Sequence, residues 1–162
     1  LDIDYKVVPG VSDYSAAAAG LGIELTVPEV TQSLILTRTA MKSSAMPEGE
    51  ELTSLGRTGA TLAIHLSIRN LRQIERDLTP FYGADCPVIV AYRVGWPDEA
   101  YLHATLSTVH KAVQKEKITR TALLFVGRGL DQSTDFRDSA LYDAEHVHLL
   151  RPKRGRATER NA

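Results

Sequence analysis

Few side chains in this sequence stand in patterns that do chemistry. His146 and His148 alternate as two metal ligands on one strand face would, with Asp143 and Glu145 beside them. No third ligand is spaced to complete a metal site, so a surface or packing role is expected for the pair. His65 stands inside the apolar run Thr61–Leu66, "TLAIHL". A buried, hydrogen-bonded imidazole is expected there, although a strand end can also face a ligand. Cys86, between Asp85 and Pro87, has no neighbouring cation in the sequence to favour a thiolate and reads as structural. Ser12 lacks the Gly-x-Ser-x-Gly surround of a nucleophile elbow and reads as a helix cap. Gly127 and Gly129 follow an apolar run, but no third glycine opens a helix behind them, so they do not make a dinucleotide loop. Arg128, Arg137 and Arg151 are candidates for binding carboxylates, against a background in which most arginines are simply solvated. No acid–base pair, metal set or nucleophile stands out. Two classes remain open: a binding module, and an enzyme whose cofactor carries the reactive group.

Size and composition bound these classes further. The 162 residues, 43% hydrophobic and 24% charged, suit one globular domain, or one plus a remnant of another, with a sizeable core. A net charge of −1 gives no electrostatic case for nucleic acid or an anionic membrane as partner. The single cysteine excludes an intrachain disulfide and fits a reducing, cytoplasmic compartment. No apolar run is long enough for a membrane span, and no signal-peptide pattern is visible. The chain opens at Leu1 already in the pattern of a fold's interior, which suggests a fragment of a longer protein.

The elements that would position any site read as alternating strands and helices. Tyr5–Val8 is a short β-rich run ended by the Pro9-Gly10 turn signal. Ser12 then caps a helix rich in small residues (Ala16–Ala19) that ends at Gly20 or Gly22 and can lie close to a sheet. Pro28 breaks the chain. Ser33–Thr37 reads as a strand, Met41–Gly49 as a loop, Glu50–Leu55 as a short helix and Thr61–Leu66 as a strand. Ile68, Leu71, Ile74, Leu78 and Phe81 recur at helical spacing and lead into Tyr82-Gly83. Pro87–Tyr92 is a strong strand, with Tyr101–Thr105 as its antiparallel neighbour across the Gly95–Asp98 turn. Leu106–Val113 reads as helix, Thr121–Val126 as a strand apolar on both faces, Asp131–Asp138 as a polar loop and Lys153–Ala162 as a charged tail. Runs apolar on both faces imply an α/β fold, a sheet with helices on both sides.

Several of these stretches resemble the tetrapyrrole (corrin/porphyrin) methyltransferase family. "VVPGVSDYSAAAAGLGIELT" resembles its Val-Val-Pro-Gly-[Ile/Val]-[Ser/Thr] segment followed by a small-residue helix. "GATLAIHLS" resembles its Gly-x-Thr-Leu strand, "YGADCPVIVAYRVGWPDE" its Cys-Pro-Val strand and following turn, and "TALLFVGRGL" its last core strand. The motifs stand in the right order over nearly the whole chain. The segments "LTVPEVTQSLILTR", "AYRVGWPDE" and "SALYDAEHVHLLRP" narrow the likeness to one branch of the family.

The resemblance implies a two-domain α/β enzyme that uses S-adenosylmethionine as cofactor and a tetrapyrrole as small-molecule substrate. On that pattern residues 1–27 are the end of an N-terminal domain and linker. Residues 28–150 are a C-terminal mixed-sheet domain with helices on both faces, and 151–162 a disordered tail. The family's glycine-rich loop and Gly-Gly-Asp-type motif have no counterpart in the chain, so it is expected to carry part of the site; a remnant that folds without binding cofactor stays open. The cofactor-contacting positions carried over by motif are Ser12, Asp13, Leu66, Val94, Thr121 and Ala122. Asp13 departs from the small or hydroxyl residue common at its position, and Leu66 replaces a frequent methionine. Arg93 and Arg128 are the candidates to meet substrate carboxylates. No catalytic residue and no metal ligand is assigned, and a homodimer is what the family implies.

Overall fold

The computed structural model of the chain describes residues 3–40 and 44–131. Asp143, Glu145, His146, His148, Arg137, Arg151 and the predicted tail lie outside the described residues, as does most of the predicted loop after Asp131. The described elements are α1 (Asp13–Leu21), β1 (Leu34–Arg38), α2 (Leu52–Gly56), β2 (Thr61–His65), α3 (Leu71–Tyr82), β3 (Pro87–Tyr92), β4 (Ala100–Thr105), α4 (Val109–Lys115) and β5 (Ala122–Val126). Short 3-10 turns at Ile68–Asn70 and Arg128–Leu130 lead into α3 and follow β5.

The strands form one mixed sheet in the order β1-β2-β5-β3-β4. β1 and β2 run parallel, while β5 lies antiparallel to both β2 and β3, and β4 closes the edge as the antiparallel partner of β3. The last described strand in sequence is therefore the middle strand in space. Its residues need apolar company on both sides, and Leu123, Leu124, Phe125 and Val126 are all buried.

Strand alternation divides the core in two. On one face Leu62, Ile64, Val88, Val90, Leu124 and Val126 pack under α2, α3 and α4, which contribute Leu52, Leu71, Ile74, Leu78, Tyr82, Val109 and Val113. On the other face Ala63, Ile89, Ala91, Leu123 and Phe125 pack against Ala17 of α1, with Ile23 and Leu25 alongside. Fully burying each large apolar side chain contributes roughly 1.5–3 kcal/mol, so these two layers dominate stability.

The small residues of α1 set its distance from the sheet. Ala17 is fully buried. A Cβ at Gly20 would come within 2.2 Å of the Tyr101 hydroxyl, so only glycine leaves room for that ring. The helix ends where Gly22 turns left-handed (φ 66°), and the amides of Gly22 and Ile23 return to Ala19 and Ala18 carbonyls.

Three expectations are corrected. Tyr5–Val8 is not a strand: Ile3, Tyr5, Val7 and Val8 are exposed and pair with no described strand, and a β run without a ladder partner has no hydrogen bonds to hold it. The helix expected from Leu106 begins at Val109 instead, because the Thr108 hydroxyl accepts the Thr105 amide and holds the preceding residues as a turn. Ser12 does occupy the cap position of α1, with extended backbone, but its hydroxyl meets Ser15 Oγ at 3.2 Å rather than a backbone amide.

Tyr82, the last residue of α3, and Cys86 lie in the same core layer. Burial pushes the Cys86 thiol up to about 11, against the lowering effect of the Arg128 charge, which the fold brings near and the sequence did not suggest. Burial likewise pushes Tyr82 up to about 12, its hydroxyl donating to the Ala60 carbonyl. Both acids titrate later folded than unfolded, so their contribution is complete below the unfolded thiol value of ~8.5 and is lost as pH rises toward the folded values. Urea titrations from pH 8 to 11 should show falling stability. In Cys86→Ala the decline should begin only near pH ~10, where the unfolded tyrosine titrates. Gly20→Val should cost about 1–3 kcal/mol in the same measurement, with an unchanged denaturant slope, because the added branches collide with Tyr101.

Candidate functional site

Antiparallel insertion of β5 brings the ends of β2 and β3 together with the start of β5. There the backbone leaves ordinary conformations three times. Leu66 (φ 55°), Arg93 (φ 49°) and Thr121 (φ 53°) all adopt the left-handed region. For a β-branched residue such as Thr121 this is a marked outlier, and each such residue stores on the order of 1–3 kcal/mol.

Hydrogen bonds hold these conformations in place. The Arg93 amide donates to the Thr121 carbonyl at 2.9 Å, tying the turn after β3 to the entry of β5. Behind Leu66 lies a buried polar knot. The Ser67 hydroxyl donates to the His65 carbonyl at 2.7 Å and accepts the Thr39 amide at 2.8 Å, while Asn70 Nδ2 donates to Thr39 Oγ1 at 2.6 Å. Ser67 and Thr39 are almost fully buried, so breaking any member leaves an unpaired polar group.

A cavity of about 390 Å³ opens at these strand ends. Leu66, Ile68, Ala91, Val94, Ala122 and Leu123 give it apolar walls, and Asp13, His65, Arg69, Thr119, Arg120 and Thr121 add its polar groups. Its volume lies in the ~300–1,000 Å³ range of small-molecule sites. Asp13, the first residue of α1, reaches across to β2, where its Oδ1 lies 3.1 Å from His65 Nε2. Arg69 Nε donates to the Thr119 carbonyl at 3.2 Å, joining the turn before α3 to the loop before β5.

Of the residues expected from the sequence, Asp13, Leu66, Val94, Thr121 and Ala122 come together around this cavity. Ser12 sits one residue before Asp13, exposed and paired with Ser15. Arg93 stands beside the cavity, but its guanidinium is already engaged: Nε donates to Asp98 at 2.7 Å, and the plane lies 4.3 Å over the Trp96 ring. Arg128 is not brought into this group. It follows β5 at the opposite end of the sheet, where it grips both oxygens of Asp85 at 2.8 and 2.9 Å and donates to the Tyr82 carbonyl. This fork holds the Asp85 carboxyl at about 2, well below the ordinary range.

The sequence reading missed the Asp13–His65 pair, because 52 positions separate the two and only the docking of α1 joins them. It also missed Ala91 and Leu123, whose inward direction follows from strand alternation once the register is known. Arg69, Thr119 and Arg120 carried no local signal at all. Among the described residues no group of three or more metal-ligating side chains is present.

Comparison with known proteins shows the family. Residues 1–110 match the family "Tetrapyrrole (Corrin/Porphyrin) Methylases". The chain is 50% identical to the precorrin-4 C(11)-methyltransferase of Sinorhizobium sp over 92% of its own length and 58% of that protein's. It is 51% identical to the enzyme of the same name from Pseudomonas aeruginosa over 94% of its length and 60% of that protein's. Among solved structures it resembles a cobalamin biosynthetic enzyme, cobalt precorrin-4 methyltransferase, with a TM-score of 0.74 and 35% identity over 78% of this chain and 53% of that one. The chain thus spans about three fifths of the length of the curated relatives it matches. With the family match, the identities and the shared mixed-sheet fold all pointing the same way, the chain belongs to the tetrapyrrole (corrin/porphyrin) methylase family.

Proposed function

We propose that the chain carries the C-terminal part of an S-adenosylmethionine-dependent methyltransferase that methylates C11 of precorrin-4, giving precorrin-5 in corrin-ring biosynthesis. The observation that carries this reading is the convergence of Asp13, Leu66, Val94, Thr121 and Ala122 on one cavity with apolar walls. The lining residues fit the cofactor: apolar faces suit the adenosine, and the carboxylate of Asp13 suits hydroxyl or cationic groups. Leu66, Val94, Thr121 and Ala122 would hold the adenosine part, with Asp13 toward the polar part.

S-adenosylmethionine, when bound, supplies a methyl group on a sulfonium, which is already an activated electrophile. The chain's own task is then to orient and to exclude water. Backbone positions locked in left-handed conformations at Leu66, Arg93 and Thr121 keep the cavity wall from relaxing. Arg93 is held through Nε by Asp98 and over Trp96, which leaves its terminal guanidinium nitrogens to donate to the acid side chains of the tetrapyrrole. Arg128 is committed to Asp85 and is left out of the proposed substrate contacts. Identity of 50–51% to proteins named for metal-free precorrin-4 favours that substrate over its cobalt-containing counterpart, the substrate named for the 35% identical solved structure. Analysis of the methylated product by mass and carbon NMR separates the two.

Titration of the 162-residue chain with S-adenosylhomocysteine should show saturable binding in the micromolar range by calorimetry. A folded chain that takes up no ligand would favour the reading in which it carries part of the site, and a protein of the relatives' full length that binds none would overturn the cofactor assignment. Leu66→Gly offers a sharper test. Glycine relieves the left-handed strain and removes an exposed side chain from the cavity wall, so stability should rise by about 1 kcal/mol. Affinity for S-adenosylhomocysteine should fall about tenfold with the loss of roughly 1.4 kcal/mol of apolar contact. Unchanged affinity would place the ligand elsewhere.

A further inference from the structure

His65 lines two cavities at once. One is the 390 Å³ cavity assigned above to the cofactor. The other, of about 430 Å³, lies at the end of β1 and is lined by Leu36, Thr37, Arg38, Met46, Pro47, Glu50 and His65. The imidazole is therefore part of the wall between them, about 30% exposed at its side chain. Its placement is fixed twice. The Ser67 hydroxyl holds its carbonyl at 2.7 Å, and the Asp13 carboxylate meets Nε2 at 3.1 Å. Among the described residues the second ring nitrogen, Nδ1, has no hydrogen-bond partner. A carboxylate on one nitrogen and a vacant lone pair on the other, beside a ligand cavity, is the arrangement of an oriented proton acceptor.

We propose that His65, oriented by Asp13, accepts the proton that the tetrapyrrole must lose when its carbon is methylated, with the acceptor ring lying on the 430 Å³ side of the imidazole. This rests on the cofactor reading given above. The step balances as follows. The ring's π electrons form the new carbon–carbon bond, and the carbon–sulfur bond breaks with its electron pair left on sulfur, turning the sulfonium into a neutral thioether. The positive charge passes to the ring, whose acidified N–H gives its proton to His65 Nδ1. The ring ends neutral, and the imidazolium is held beside the Asp13 carboxylate, which offsets its charge. Arg38, in the same cavity, cannot accept a proton because its guanidinium is already protonated and only donates. Its guanidinium is occupied by the Ser44 hydroxyl and by the carbonyls of Thr39, Ser44 and Ala45.

Two measurements decide the matter. The first needs no turnover: nitrogen NMR of the chain labelled at histidine, with S-adenosylhomocysteine bound and uroporphyrin III added as the tetrapyrrole probe. His65 should carry its proton on Nε2, and its Nδ1 resonance should move on addition of the probe. A proton found on Nδ1, or a resonance that the probe leaves unmoved, overturns the proposal. The second is single-turnover methyl transfer to precorrin-4 in the protein restored to the length of its relatives. His65→Gln and His65→Ala should lose about 10²–10⁴-fold in rate. Both should still fold and bind S-adenosylhomocysteine saturably, and added imidazole should restore single-turnover transfer by His65→Ala at least tenfold. Variants that bind S-adenosylhomocysteine and transfer at the wild-type rate sink the role of His65 alone, whereas failure of the full-length wild-type protein to bind S-adenosylhomocysteine sinks the cofactor reading on which it rests.

Discussion

The two-sided antiparallel pairing of β5 is the constraint on which the rest of this structure depends. A strand that enters the middle of a sheet must satisfy amides and carbonyls along both edges and cover side chains on both faces. β5 meets this with Leu123, Leu124, Phe125 and Val126, each matched in register to β3, and three of the four positions also to β2. Because β5 runs against its neighbours, its first residues arrive beside the last residues of β2 and β3. That single topological fact assembles Leu66, Val94, Thr121 and Ala122 at one end of the sheet. The same fact carries Gly127 and Arg128 to the other.

The two ends have different physics. At the Arg128 end a charge-assisted fork between Arg128 and Asp85, with a third bond to the Tyr82 carbonyl, pins the exit of β5 to the segment after α3. At the cavity end the backbone is strained and its carbonyls and hydroxyls are cross-tied by Thr39, Ser67 and Asn70. Strain of this kind persists only where the surroundings over-determine it. Here the packed core under α3 and α4 on one face, and α1 on the other, hold the strand ends still enough for two left-handed residues, Leu66 and Thr121, to stand within one wall and a third, Arg93, beside it.

α1 links these layers to the chemistry. Its alanines and Gly20 let it approach the sheet closely enough for Ala17 to be fully buried. That depth brings Asp13, at its first turn, within hydrogen-bond reach of His65. The residues before it, from Ile3 to Val11, leave apolar side chains uncovered, and the chain covers only about three fifths of its curated relatives. The apolar periodicity of that segment is real, yet it makes no strand among the described residues, since β structure requires a second backbone whereas a helix closes its own hydrogen bonds.

Most elements were legible from the sequence because their signals are local. Near-continuous apolar runs marked β3 and β5, three- and four-residue spacing marked α3, and glycine and proline marked the turns; these follow from backbone geometry and solvent alone. The family resemblance likewise named Leu66, Val94, Thr121 and Ala122, and the fold brings these four to one cavity. What only the tertiary structure decided is which distant groups meet. The pairing of Asp13 with His65, the commitment of Arg128 to Asp85 and the joining of Thr39 to the Ser67–Asn70 turn depend on strand order and on helix depth. No residue's own neighbours encode these, because a charge or hydroxyl takes its role from whichever partner the packed core delivers to it.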